Sequence, residues 1–180
     1  MSRILVGVSG SAACFKAVSL CSALAQQGHQ VQAVLTRAAA RLVTPLQFSA
    51  VCGRKALHDE WQPADPGGMD HIALSRGADL LVVAPASADR IGLLAHGLAP
   101  DLLGSLALAF ETHKPRLFAP AMNPQMWSHP AVSRNLALMQ GDGWHCIGPA
   151  TGVTACGEEG LGRMAEPEQI LEQVLEVLEE

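Results

Sequence analysis

Ile4-Leu5-Val6-Gly7-Val8 and Leu80-Leu81-Val82-Val83-Ala84 are runs without a polar side chain, and they constrain this chain more than any other feature. A strand with one wet face alternates apolar and polar residues. A short unbroken apolar run bounded by turn residues belongs instead to a strand covered on both faces, the habit of parallel sheets flanked by helices. Each run gives way to small residues and then to helical spacing. After Val8 come Ser9-Gly10-Ser11-Ala12-Ala13, followed by Ala17, Leu20, Cys21, Leu24 and Ala25 on one helical face, with Gly28 as the stop.

The alternation continues. Gln30–Leu35, Arg116-Leu117-Phe118-Ala119 and Trp144-His145-Cys146-Ile147 read as further strands. Thr44-Pro45 reads as the start of a helix running through Leu46 to Val51 and ending at Gly53. Asp70 to Leu74, Ile91 to Ala95, Asp101 to Phe110 and Ala131 to Met139 read as helices too. The last helix starts at Pro167 and has Ile170, Leu171, Val174, Leu175 and Leu178 on one face. Residues 54–69, with Trp61-Gln62-Pro63-Ala64-Asp65-Pro66-Gly67-Gly68, form the most loop-like and mobile segment. Strand-helix alternation of this kind predicts one α/β domain over residues 1–180: a doubly wound, Rossmann-like (flavodoxin-like) parallel sheet with helices on both faces.

Composition narrows the function. With 180 residues, 49% of them apolar, a full core is within reach; a formal charge of −5 without a basic run excludes a nucleic-acid footprint or a basic membrane-surface helix. No apolar stretch reaches membrane-spanning length and the N-terminus is strand-like at once, so a cytoplasmic protein is expected. The five cysteines, at 14, 21, 52, 146 and 156, are odd in number, lack C-x-x-C spacing and have no histidines at zinc-site spacing. They read as reduced thiols, with no metal site. Cys14 and Cys21 fall on a core-facing helix pattern, whereas Cys156 lies among glycines.

In an open parallel sheet, ligands bind outside the carboxyl ends of the strands. Four small-residue turns lie there: Ser9 to Ala13, Thr36-Arg37-Ala38, Pro85 to Arg90, and Pro120-Ala121-Met122-Asn123-Pro124-Gln125-Met126-Trp127. Glycine lets backbone approach a ligand closely, and helix-start N–H groups beside hydroxyls suit a phosphate. The first turn is neither a full G-x-G-x-x-G nor a Walker loop, so by itself it is equally an ordinary strand-helix connection. In the last turn Asn123 is the one strong two-way hydrogen-bonding side chain, and taken alone it could equally satisfy its own backbone. Gly148 to Met164 is a glycine-rich excursion too long for a mere connector.

Three motifs in order, Asp70-His71-Ile72-Ala73-Leu74, Pro120 to Trp127, and Ala155-Cys156-Gly157 through Gly162-Arg163-Met164-Ala165-Glu166-Pro167, resemble those of the homo-oligomeric flavin-containing cysteine decarboxylases. The third motif is similar to the branch that acts on 4'-phosphopantothenoylcysteine in coenzyme A biosynthesis. The resemblance implies an FMN enzyme that oxidises the cysteine part of its substrate to a thioaldehyde, releases carbon dioxide to leave an enethiol, and reduces that enethiol to 4'-phosphopantetheine. It implies a homotrimer, assembled further into a dodecamer in some members, with active sites between subunits.

Residue by residue, the resemblance implies His71 as active-site base, with Asp70 either its orienter or a solvated neighbour, Asn123 as ligand of the substrate carboxylate or amide, and Cys156 as the acid of the reductive half. Ala155 and Met164 would touch substrate in a segment that closes as a clamp. FMN would be held by Gly10, Ser11 and Ala12, by Thr36 and Ala38, by Ser87 and Ala88, and by Ala121. The family's Ser-Ala-Asn-Thr is Ser87-Ala88-Asp89-Arg90 in this chain; Asp89 would repel a phosphate unless Arg90 compensates. The same resemblance leaves room for a lantibiotic-type peptidyl-cysteine decarboxylase, a flavin prenyltransferase and a non-catalytic flavin-binding regulator. Because the chain ends near the decarboxylase motifs, a substrate-making synthetase is expected on a separate polypeptide.

Overall fold

A computed structural model describes every residue except 60, 62–66, 68 and 180. In chain order the elements are β1 (Arg3–Val8), α1 (Cys14–Gln26), β2 (Gln30–Leu35), α2 (Arg37–Leu42), α3 (Pro45–Cys52), α4 (Asp70–Gly77), β3 (Leu80–Ala86), α5 (Ala88–Ala95) and α6 (Leu102–Ala109). Then follow β4 (Arg116–Pro120), α7 (Pro124–Trp127), α8 (Pro130–Gly141), β5 (Trp144–Cys146), β6 (Ala150–Val153), β7 (Glu159–Arg163) and α9 (Pro167–Glu179). The loop read over residues 54–69 falls largely outside the described residues; within it, Leu57 bridges Val34 of β2.

Five strands form one parallel sheet in the order β2-β1-β3-β4-β5, the doubly wound arrangement that the alternation predicts. Successive residues of each apolar run enter opposite cores. Ile4, Val6, Leu80 and Val82 pack with residues of α1 and α9 on one face; Leu5, Leu81 and Val83 pack with residues of α5, α6 and α8 on the other. Gly7 lets α6 come close, because a Cβ there would stand 2.5 Å from Leu103 Cδ1. The chain leaves β1 for α1 on one face of the sheet and leaves β3 for α5 on the other, so the connections beyond the carboxyl ends of these neighbouring strands part and open a crevice.

Three local readings are corrected. Thr36-Arg37-Ala38 is not a free turn: Thr36 accepts the Ala39 N–H at 3.1 Å and caps a short helix, favoured by the Arg-Ala-Ala-Ala-Arg-Leu sequence. Pro85 and Ala86 continue β3 rather than opening the turn, and both are fully buried. The glycine-rich excursion contains an antiparallel hairpin, β6 with β7, that stands apart from the main sheet. Its glycines hid the strand signal because they carry no side chain to alternate.

Candidate functional site

Ser9 builds the floor of the crevice. Its hydroxyl, 1% exposed, donates to Pro85 O at 2.8 Å and accepts the Ser87 N–H at 2.8 Å, tying the end of β1 to the end of β3. Gly10 then passes so close to α2 that a Cβ would sit 2.6 Å from the Ala38 Cβ. Around this junction lies a cavity of about 510 Å³ lined by Gly10, Ser11, Thr36, Ala38, Ser87, Ala88, Asp89, Arg90 and Ala121. Seven of the eight residues expected to hold a flavin therefore meet in one place, together with Asp89 and Arg90; the eighth, Ala12, lines the adjoining cavity. The volume suits a cofactor-sized ligand.

The charges at this cavity differ from expectation. Arg90 is 2% exposed and both of its terminal nitrogens donate to Asp101, which also caps α6 by accepting the Gly104 N–H at 2.9 Å. Its charge is neutralised there, so Arg90 does not offset Asp89, which is exposed in the first turn of α5. The buried Arg90 Nε has no partner among the described residues. At the rim stands Arg37, exposed and without an ion-pair partner among the described residues, a cation that the sequence reading passed over.

A second cavity, about 570 Å³, shares Ser11, Ala121 and Met122 with the first and is lined further by Asn123, Ala155, Cys156, Arg163 and Met164. Asn123 does satisfy its own backbone: Oδ1 accepts the Met126 N–H at 2.8 Å and caps α7. That bond also fixes the amide, because with Oδ1 engaged the NH₂ is the end left to donate to a ligand. The hairpin docks directly on this loop. The Met122 N–H donates to Gly162 O at 3.0 Å, and Gly162, at φ +145, approaches so closely that a Cβ would lie 2.4 Å from Met122 O. Cys156 at the hairpin tip is exposed, whereas Cys14 and Cys21 are buried and burial pushes the Cys146 thiol up to about 11.

Lys16 was missed as a feature of this wall. It is 8% exposed, lines the second cavity, donates to Met164 O at 3.3 Å and pairs with Glu166 at 2.9 Å. The hydrogen bond from Lys16 holds the Glu166 carboxyl below its ordinary range, with Arg163 adding to the effect. The signal was available: Lys16 is the only charged residue in α1, between the core positions Cys14 and Ala17.

His71 is not brought to either cavity. It sits half-buried in the first turn of α4, which packs on α6. Asp70 is 4% exposed, so the reading of it as a solvated neighbour is excluded.

Fold and site together define a doubly wound α/β protein with a cofactor-sized crevice at the strand ends beside a second, hairpin-covered cavity. The chain belongs to the Flavoprotein family, whose profile matches residues 1–179. It is 38% identical over 176 residues to a protein of Streptococcus mutans named probable phosphopantothenoylcysteine decarboxylase, covering 98% of each chain. It is 43% identical over 169 residues to the coenzyme A biosynthesis bifunctional protein CoaBC of Vibrio vulnificus, covering 94% of this chain and 42% of that relative's length. A solved structure of a PPC decarboxylase Cys-to-Ser variant complexed with pantothenoylaminoethenethiol superposes with a TM-score of 0.89 at 35% identity, covering 99% of each chain. The resemblance read from the three motifs is therefore borne out at the level of family and branch.

Proposed function

We propose that this chain is a cytoplasmic FMN-dependent carboxy-lyase that converts 4'-phosphopantothenoylcysteine to 4'-phosphopantetheine in coenzyme A biosynthesis. The observation that carries the reading is that Asn123 and Cys156 line one cavity which adjoins the strand-end crevice, sharing Ser11, Ala121 and Met122 with it. The names of the relatives and the ligand of the solved neighbour support this substrate class. The crevice fits FMN: Gly10 forms a cradle that a Cβ would fill, and Ser11, Thr36 and Ser87 bring hydroxyls to its wall. Bound FMN would supply the two-electron oxidation and reduction of the substrate carbon next to sulfur.

The remaining work falls to side chains. The Asn123 NH₂ orients the substrate carboxylate so that, once a thiocarbonyl has formed beside it, the electrons of the breaking carbon-carbon bond flow to sulfur. The hairpin tip covers the cavity and keeps water from the enethiol. Cys156 gives its Sγ proton to the enethiol carbon in the reductive half, and Ala155 and Met164 flank the substrate. His71 is the base of the oxidative half and enters from a second copy of the chain. Its position outside both cavities of its own subunit supports that arrangement, and with it a homotrimer, alone or within a dodecamer.

The test is carbon dioxide release from phosphopantothenoylcysteine by the purified yellow protein, with a C-terminal cysteine peptide as the competing substrate. Cys156→Ser is expected to oxidise and decarboxylate but to stall with reduced flavin and an unsaturated product. His71→Asn is expected to leave the flavin oxidised. Parental turnover by Cys156→Ser to the saturated product would remove the assigned role, and a fully active monomer in light scattering would remove the shared site.

A further inference from the structure

The connection between β6 and β7 carries a hydrogen-bond arrangement that the three motifs do not include. Thr154 opens it: the Thr154 N–H donates to Glu158 O at 2.8 Å, and the Gly157 N–H donates to Thr154 O at 2.9 Å. Gly157 holds φ +84, where a side chain would be strained, so the turn is pinned at both ends. Inside it, Thr154 Oγ1 lies 3.0 Å from Glu158 O and 3.0 Å from Cys156 Sγ. Both Thr154 and Cys156 line the cavity that contains Asn123.

Proton counting fixes the direction of these bonds. A hydroxyl has one proton and two lone pairs, whereas a carbonyl only accepts. With the Thr154 O–H given to Glu158 O, the contact to Cys156 has to be S–H donating to Oγ1. Once the thiol has lost its proton, the direction reverses without leaving any of the three groups unpaired. The hydroxyl turns its O–H onto the sulfur anion, and Glu158 O keeps the Thr154 N–H as donor. The first state holds Sγ and its proton in a defined place; the second stabilises the charge that proton donation creates, through a charge-assisted bond stronger than the one it replaces.

We propose that Thr154 is the positioning residue of Cys156, a two-way hydrogen-bond partner that holds Sγ at the cavity wall by accepting the S–H and, once that proton has turned to substrate, donates to the thiolate left behind. This rests on the reading of Cys156 as the proton donor. The transfer balances. The Cys156 S–H bond breaks, the proton joins the enethiol carbon, and the sulfur keeps the electron pair until solvent reprotonates it. The hydride equivalent that completes the reduction is the one withdrawn from the substrate in the oxidative half.

The experiment uses the flavin-loaded full chain as parent, Thr154→Val, Thr154→Ser and Cys156→Ser. Without substrate, iodoacetamide alkylation of Cys156 at pH 8 is followed by peptide mass analysis. Thr154→Val should react about threefold more slowly, a loss muted because a less stabilised thiolate is also the better nucleophile, and Thr154→Ser should match the parent. In single turnover, Thr154→Val should keep the parental rate of flavin bleaching, slow the return of oxidised flavin about tenfold and accumulate unsaturated product. Thr154→Ala gives the same expectation if the valine methyl disturbs the turn. A hydroxyl that merely stiffened the hairpin would leave alkylation and product ratio unchanged, and that result would overturn the proposal while Cys156→Ser still stalled. Parental turnover by Cys156→Ser would overturn the donor reading instead, whatever Thr154 does to alkylation.

Discussion

Gly162→Ala tests whether the hairpin is fastened to the Asn123 loop as the geometry requires. The added Cβ would stand 2.4 Å from Met122 O, a backbone atom that cannot rotate away, at a φ of +145 that disfavours a side chain. Strain at such a position costs about 1–3 kcal/mol. The 3.0 Å bond from the Met122 N–H to Gly162 O opens with the hairpin in parent and variant alike, so it does not enter the difference. The strain alone, about 1–3 kcal/mol, corresponds to roughly a 5-fold to 150-fold shift toward an undocked hairpin. Amide hydrogen exchange reads this locally. Met122 should lose protection by that factor, while Ala121, whose N–H donates to Ala86 O in the sheet, stays as in the parent. Parental protection at Met122 would show that the hairpin tolerates the methyl group, and the account of the docked clamp would be wrong.

Asp101→Asn keeps an oxygen to cap α6 but removes the charge opposite the 2%-exposed Arg90, so it should destabilise the fold by about 3 kcal/mol, measured by urea titration. Glu166 has a carboxyl depressed in the folded state by Lys16; its stabilising contribution is complete above the unfolded carboxyl range and is lost as pH falls through the folded value. Melting temperatures of parent and Glu166→Gln should therefore differ at pH 7, by a modest amount because the Glu166 side chain is 42% exposed, and converge once the pH has fallen through the depressed folded value. Asp89→Asn should bind FMN at least as tightly as the parent in a fluorescence titration, because Asp89 is an exposed anion at a phosphate-type turn whose neighbour Arg90 is already paired. Weaker binding would give Asp89 a positive role.

The turns at the strand ends were legible because their physics is local. Ser-Gly-Ser after an apolar run, and Asn before proline, state their roles within a few residues, and the structure gathers those turns at the β1/β3 divergence. The hairpin was not legible as strands, since glycines at 152, 157, 160 and 162 remove the alternation that marks a strand. At Gly162 the glycine is required because backbone lies on backbone there, against Met122 O.

The sequence by itself determined the parallel sheet, the helices on its two faces and the chemical identity of the residues available at its carboxyl edge. A two-sided apolar strand and a capped helix are consequences of neighbours in the chain. Only the tertiary structure decided which charges were free. Asp101 takes Arg90 from eleven residues away and Glu166 takes Lys16 from 150 away, leaving Arg37 at the crevice without an ion-pair partner among the described residues. Only it brought Cys156 and Asn123 to one cavity and left His71 outside both cavities. Pairings of that kind depend on how β1, β3 and β7 come together in space, and no local pattern along the chain encodes the distance between them.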